Sequence, residues 1–115
     1  MMFKKVCIIG CGLIGSSLAR AIKKNNLAEK IVSCNRSEAT NKKVVELKIV
    51  SESSSDPGKM VKDSDLIVIA TPLSSYEDVI SKIKNFLKSG VILTDVGSVK
   101  ENVINLIENN IPKNI

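Results

Sequence analysis

A doubly wound α/β fold, a parallel sheet with helices on both faces, is predicted by three features of this sequence. Short runs of Ile, Val and Leu alternate with stretches of helical periodicity, at the spacing of βα units. Of the 115 residues 43% are hydrophobic but only 3% aromatic, which favours strands buried on both faces over an aromatic-rich sandwich. A glycine-rich turn, Gly10-Cys11-Gly12-Leu13-Ile14-Gly15, sits between the first apolar run and the first helical stretch. Length and composition fit one domain over residues 1–115 with a modest core.

Lys4 to Ile9 reads as the first strand, and Leu13 to about Asn25 as a helix with Ile14, Leu18, Ala21 and Ile22 on its apolar face. Asn25-Asn26 stops it. Lys30 to Cys34 is the second strand, followed by a helix that Ser37 caps and that runs through Val44, Val45 and Leu47. Ile49-Val50 is a short third strand. Ser51 to Gly58 is polar and broken by Asp56-Pro57-Gly58, so it reads as a loop, with a helical turn at Lys59 to Lys62.

Leu66 to Ala70 is a continuous apolar run between Asp65 and Thr71-Pro72, the pattern of a buried parallel strand stopped by proline. Ser74 to Glu77 forms a capping box, opening a helix with Tyr76, Val79, Ile80, Ile83, Phe86 and Leu87 on one face until Ser89-Gly90. Val91 to Thr94 is the fifth strand. Ser98 to Glu101 is a second capping box, before a helix with Val99, Val103, Leu106 and Ile107 inward. Five strands in this order make a Rossmann-type sheet whose second half is one strand short.

The glycine turn carries the first functional signal. Gly10 permits a tight turn, Gly12 lets phosphates approach the backbone, and Gly15 lets the helix pack on the strand, so that the N–H groups of Leu13, Ile14 and their neighbours aim at a pyrophosphate. A lone glycine fingerprint also occurs in methyltransferases and plain structural turns; its place between strand and helix favours a dinucleotide.

An acidic side chain at the end of the second strand would accept from the ribose hydroxyls of NAD. This sequence has Asn35-Arg36-Ser37 there. Arg36 can pair with a 2′-phosphate and Ser37 can add a hydroxyl, so NADP is favoured, with NAD the alternative. The competing reading makes Arg36 a solvated surface residue and Ser37 only a helix cap. Ala70-Thr71-Pro72 and Val96-Gly97-Ser98 lie beyond the fourth and fifth strands, where open α/β sheets hold ligands. Pro72 is equally explained as a strand stop, and Ser98 as a helix cap.

Other function classes fit poorly. The net charge of +5 comes from dispersed lysines without interleaved aromatics, which argues against nucleic acid and for attraction of a small anion. Three cysteines without paired spacing, and no histidine, argue against a disulfide framework and against zinc, and for reduced thiols in the cytoplasm. No run is long enough to span a membrane. Met1 to Lys5 and the apolar residues after it have the outline of a secretory signal, but Gly10, Gly12 and Gly15 break it. Alcohol oxidation by hydride transfer also needs a base near neutral pH, and Asp95 reads as a turn residue.

Thr94-Asp95-Val96-Gly97-Ser98-Val99-Lys100, together with Ala70-Thr71-Pro72 and the segment from Gly10 to Ala19, closely resembles the N-terminal domain of prephenate dehydrogenases. Arogenate and cyclohexadienyl dehydrogenases of tyrosine biosynthesis share that family. The resemblance runs through nearly the whole chain. It implies oxidative decarboxylation of prephenate to 4-hydroxyphenylpyruvate: C4 gives up hydride, its hydroxyl loses a proton and carbon dioxide leaves. It implies that Ser98 assists at the substrate hydroxyl, a role compatible with capping. It also places the catalytic histidine in a Gly-His-Pro motif, and a helical domain for dimerisation and much of the substrate pocket, beyond Ile115. Cofactor binding without turnover is therefore the expectation for these 115 residues, and a stand-alone nucleotide-sensing module is the alternative. Two departures stand out: Asn35 replaces the family's usual aspartate, and Lys48 replaces the glycine that usually ends the second helix.

Overall fold

The computed structural model describes residues 2–95. Five parallel strands, β1 (Phe3–Ile9), β2 (Ala28–Cys34), β3 (Glu52–Ser54), β4 (Leu66–Ile69) and β5 (Ile92–Asp95), lie in the order β3-β2-β1-β4-β5. The helices are α1 (Leu13–Lys24), α2 (Glu38–Glu46), α3 (Pro57–Val61) and α4 (Tyr76–Ile83), the last flanked by 3-10 turns at Leu73–Ser75 and Lys84–Phe86. This is the doubly wound sheet that the sequence predicts. β1 lies between β2 and β4, so the chain reverses its direction of travel across the sheet at the β1/β4 junction, and a crevice opens beyond the carboxyl ends of those strands.

Strand alternation sorts the apolar residues into two cores. Val6 and Ile8 of β1 and Leu66 and Val68 of β4 face Leu18, Ala19, Ile22 and Val44 of α1 and α2. Cys7, Ile9, Ile67 and Ile69 face Met60, Val61, Val79 and Ile83 of α3 and α4 on the other side. With both faces covered, β1 and β4 need no polar alternation, which is why they read as continuous apolar runs.

Several boundaries differ from expectation, each for a physical reason. Ile49 and Val50 are not a strand: they close α2. Lys48 has φ 58, the Lys48 N–H donates to the Val45 carbonyl, and the Ile49 N–H reaches back to Val44 at 2.9 Å. That is a Schellman ending with lysine in the left-handed position, and it buries Ile49 and Val50 in the core. The third strand is instead Glu52–Ser54, a polar edge that hydrophobic pattern cannot reveal. The helical turn begins earlier than Lys59, because Pro57 takes the first helical position and Asp56 caps it, accepting from the Lys59 N–H at 3.3 Å.

On α1 the buried face is Leu18, Ala19 and Ile22, while Ile14 is 44% exposed and Ala21 half-buried. On α2 only Val44 of the predicted apolar residues is buried, Val45 and Leu47 being exposed. The capping box before α4 is not made. The 3-10 turn runs straight into the helix, and the Ser75 hydroxyl accepts no capping N–H. α4 also ends at Ile83, so the 3-10 turn that follows carries Phe86 out of register; it is half-exposed and lies over Gly58.

Candidate functional site

Each glycine of the turn answers a different demand. Gly10 has φ 88, and a Cβ there would stand 2.8 Å from Thr71 Cγ2 and 3.2 Å from the Ala70 carbonyl carbon. Only glycine fits both the backbone angle and the space. At Gly15 a Cβ would lie 2.6 Å from the Gly10 carbonyl oxygen and 3.2 Å from Ile8 Cγ2, so glycine is what lets α1 sit against β1. Gly12 is unlike either. Its φ of −81 suits any residue, and among the described residues nothing lies within 4 Å of a Cβ built on it.

Gly12 is the N-cap of α1 and offers no side-chain acceptor; the first turn of the helix holds no acidic residue. A 12-residue helix thus presents uncapped N–H groups and the positive end of its dipole beyond the sheet. Beside it, at the carboxyl ends of β1, β2 and β4, a cleft of about 280 Å³ is lined by Gly10, Asn35, Arg36, Thr71 and Pro72 among others. The fold therefore gathers at one cleft residues that lie 25 to 62 positions from Gly10 in the sequence. Thr71 Oγ1 is buried there without a hydrogen-bond partner among the described residues, a group that a ligand can satisfy.

The other predicted residues take varied places. Arg36 is exposed at the cleft wall, free to meet an anion. Ser37 caps α2, accepting from the Thr40 N–H at 3.3 Å. Asn35 is buried, and its carboxamide serves protein groups: the oxygen accepts from the Cys11 N–H at 2.5 Å and the nitrogen donates to Asn41 Oδ1 at 3.0 Å. Ala70 donates its N–H to the Ile9 carbonyl at 2.7 Å and holds the strand end. Leu13 and Ile14 open α1. Gly97 and Ser98 lie outside the described residues.

Three lining residues, Ser75 just before α4 and two within it, escaped the sequence reading. Ser75, Asp78 and Lys82 follow one another at three- and four-residue steps beside the buried Val79 and Ile83, which turns that stripe toward the cleft. Lys82 pairs with Asp78 at 3.0 Å, both more than half exposed, a bond worth little to stability; Lys82 and Arg36 are the two cationic side chains that line the cleft among the described residues. Fixing the helix's orientation from Val79 and Ile83 alone would have found them.

Burial disfavours the thiolate at all three cysteines. Burial, with the neighbouring Cys34, pushes Cys7 up to about 12, and burial, with Asp56 nearby, pushes Cys34 up to about 11; all three cysteines are free. The Tyr76 phenol is raised as well, first by desolvation and then by the Asp95 carboxylate to which it hydrogen-bonds at the end of β5. Among the described residues there is no cluster of potential metal ligands, and no helix is long and apolar enough to cross a membrane.

Residues 18–115 match the family model for the nucleotide-binding domain of prephenate dehydrogenase. The chain belongs to the prephenate dehydrogenase family. It is 36% identical over 104 residues to the prephenate dehydrogenase of Lactococcus lactis, covering 90% of this chain and 29% of that protein. With the cyclohexadienyl dehydrogenase of Zymomonas mobilis it shares 33% identity over 114 residues, covering 99% of this chain and 39% of the relative. Among solved structures, the arogenate dehydrogenase of Synechocystis superposes with a TM-score of 0.75 at 28% identity, over 91% of this chain and 37% of that one. The chain thus spans between about three tenths and two fifths of the length of these relatives. What it shares with them is the nucleotide-binding fold of an oxidoreductase family.

Proposed function

We propose that this chain is the NADP-binding part of a dehydrogenase that oxidatively decarboxylates prephenate or arogenate, and that it binds the cofactor across the glycine turn and the cleft beside it. The observation that carries the reading is Gly12. Among the described residues no protein atom requires glycine there, nor does a positive φ, which supports a ligand that approaches through the open space.

The residues fit a dinucleotide. The pyrophosphate would take the N–H groups of Leu13 and Ile14 at the head of α1, with Gly10, Gly12 and Gly15 shaping the approach. The adenosine half would enter the cleft between Arg36 and Pro72, and Arg36, with the Ser37 hydroxyl, would hold a 2′-phosphate where no carboxylate at residue 35 repels it. Ala70, Thr71 and Pro72, with Gly97, would border the nicotinamide side. The bound cofactor supplies the hydride acceptor. In keeping with the family resemblance, Ser98 would bond the substrate hydroxyl.

Histidine, the usual base for that hydroxyl, is missing from the 115 residues. We therefore expect them to bind NADP without oxidising prephenate, and place the base, the substrate pocket and any dimer contacts in the part of the relatives that this chain does not span. The neutral buried thiols suit a reducing cytoplasm.

Titration calorimetry of NADP+ and NAD+ against the wild-type chain and Arg36→Ala tests the cofactor assignment. Loss of charge-assisted hydrogen bonds should weaken NADP+ by about tenfold and leave NAD+ nearly unchanged. An intact preference for NADP+ in Arg36→Ala would remove that residue from the site.

A further inference from the structure

We infer that Asn41, a side chain on α2 that bonds the cleft-lining Asn35 without itself lining the cleft, is a positioning residue for cofactor selection, acting through Asn35. The inference rests on the reading of the cleft as an NADP site. Asn41 is 3% exposed, an uncommon state for an asparagine in a helix interior. Its place is explained by what it holds: Asn41 Nδ2 donates to the Asn35 carbonyl at 3.0 Å while Asn35 Nδ2 donates to Asn41 Oδ1 at 3.0 Å, a reciprocal pair. Ser53 of β3 adds a hydroxyl that donates to the same Asn41 oxygen at 2.6 Å and bonds Ser33 of β2 at 2.7 Å. At the far end of the network, Asn35 Oδ1 takes the Cys11 N–H in the middle of the glycine turn.

Two consequences follow from donor and acceptor chemistry. Asn41 Oδ1 faces residue 35 as an acceptor, fixed in that sense because its own nitrogen is bonded to the Asn35 carbonyl. Residue 35 must therefore present a donor, which an amide can do and a carboxylate cannot. Asn41 thus selects asparagine over the acid that would grip a ribose diol and repel a 2′-phosphate. It also keeps the carboxamide turned inward, so that Asn35 braces the phosphate-binding turn and leaves the 2′ position to Arg36. Selection of NADP then depends on a residue that touches no part of it.

The experiment measures dissociation constants for NADP+ and NAD+ on the 115-residue chain, wild-type, Asn41→Leu and Ser53→Ala, together with hydrogen exchange of the Cys11 amide by NMR. Leucine keeps the volume of Asn41 and removes its hydrogen bonds. We expect Asn41→Leu to lower the NADP+ over NAD+ preference by about fivefold, the worth of one net hydrogen bond, and to speed Cys11 exchange. Ser53→Ala, a smaller change that serves if Asn41→Leu does not fold, should move both readouts the same way. A merely structural loss would weaken both cofactors equally. An unchanged preference with unchanged Cys11 exchange in a wild-type chain that does bind NADP+ would overturn the role of Asn41 alone. A wild-type chain that binds neither cofactor would overturn the underlying reading as well.

Discussion

Gly12 and Gly15 differ by three positions and by everything that constrains them. Replacing Gly15 with alanine forces a methyl to within 2.6 Å of the Gly10 carbonyl oxygen, which one of the two elements must yield to accommodate. Overpacking of this kind costs roughly 1–3 kcal/mol, so urea denaturation of Gly15→Ala should show a lower midpoint. Lys48 offers the opposite case. A lysine at φ 58 bears the penalty of a Cβ in the left-handed region, and its Schellman bonds use only backbone groups that glycine also has. Lys48→Gly should stabilise the chain by about 1 kcal/mol, measured the same way. Both sites were visible in the sequence, the first as a motif and the second as a departure from one. The burial of Asn35 was not, because its partners Cys11, Asn41 and Ser53 lie on three other elements and only the folded chain brings them together.

At the scale of elements, the strands that cross the core announce themselves and the edges do not. β1 and β4 are buried on both faces, so their composition carries the signal; β3 is Glu-Ser-Ser and joins the sheet through backbone pairing and polar side-chain bonds, with no apolar residue. The helices show a similar split. Periodicity locates α1 and α4, but Ile14, Ile80 and Phe86 are exposed because the helix rotation is set by tertiary packing rather than by the apolar pattern. The base of the sheet is tied by Asp65, which accepts from the Lys4 N–H at 2.6 Å and the Lys5 N–H at 3.2 Å and pairs with the Lys88 ammonium. Burial pulls this carboxyl up, yet Lys88 and the two N–H groups outweigh it and hold its pKa below the ordinary 3.8. A depressed carboxyl contributes stability above its unfolded pKa and loses it as pH falls through the folded value. Asp65→Asn should therefore destabilise the chain at neutral pH, and the gap from wild type should close on acidification below the ordinary 3.8 when denaturation midpoints are compared across pH.

For the whole molecule, topology decides where a ligand can go. The order β3-β2-β1-β4-β5 opens the crevice beyond β1 and β4, and the glycine turn, Arg36 and Thr71 reach it from three separate loops. A second cleft of about 400 Å³ lies among Lys23, Ala28 and Lys48, at the opposite ends of the strands, away from the turn. The net charge of +5 adds a diffuse attraction for an anionic cofactor, so affinity should fall as ionic strength rises. Membership in the prephenate dehydrogenase family accounts for the nucleotide-binding fold, and the proposed cofactor site rests on the open space over Gly12. Calorimetric titration of NADP+ into the wild-type chain and Gly12→Ala, with melting temperatures recorded for both, tests this most directly. Saturable binding that weakens by about tenfold or more in Gly12→Ala, with the melting temperature of the free chain unchanged, is the predicted result, since the methyl would collide with phosphate and with no atom of the described residues. Equal NADP+ affinity in the two chains would contradict it.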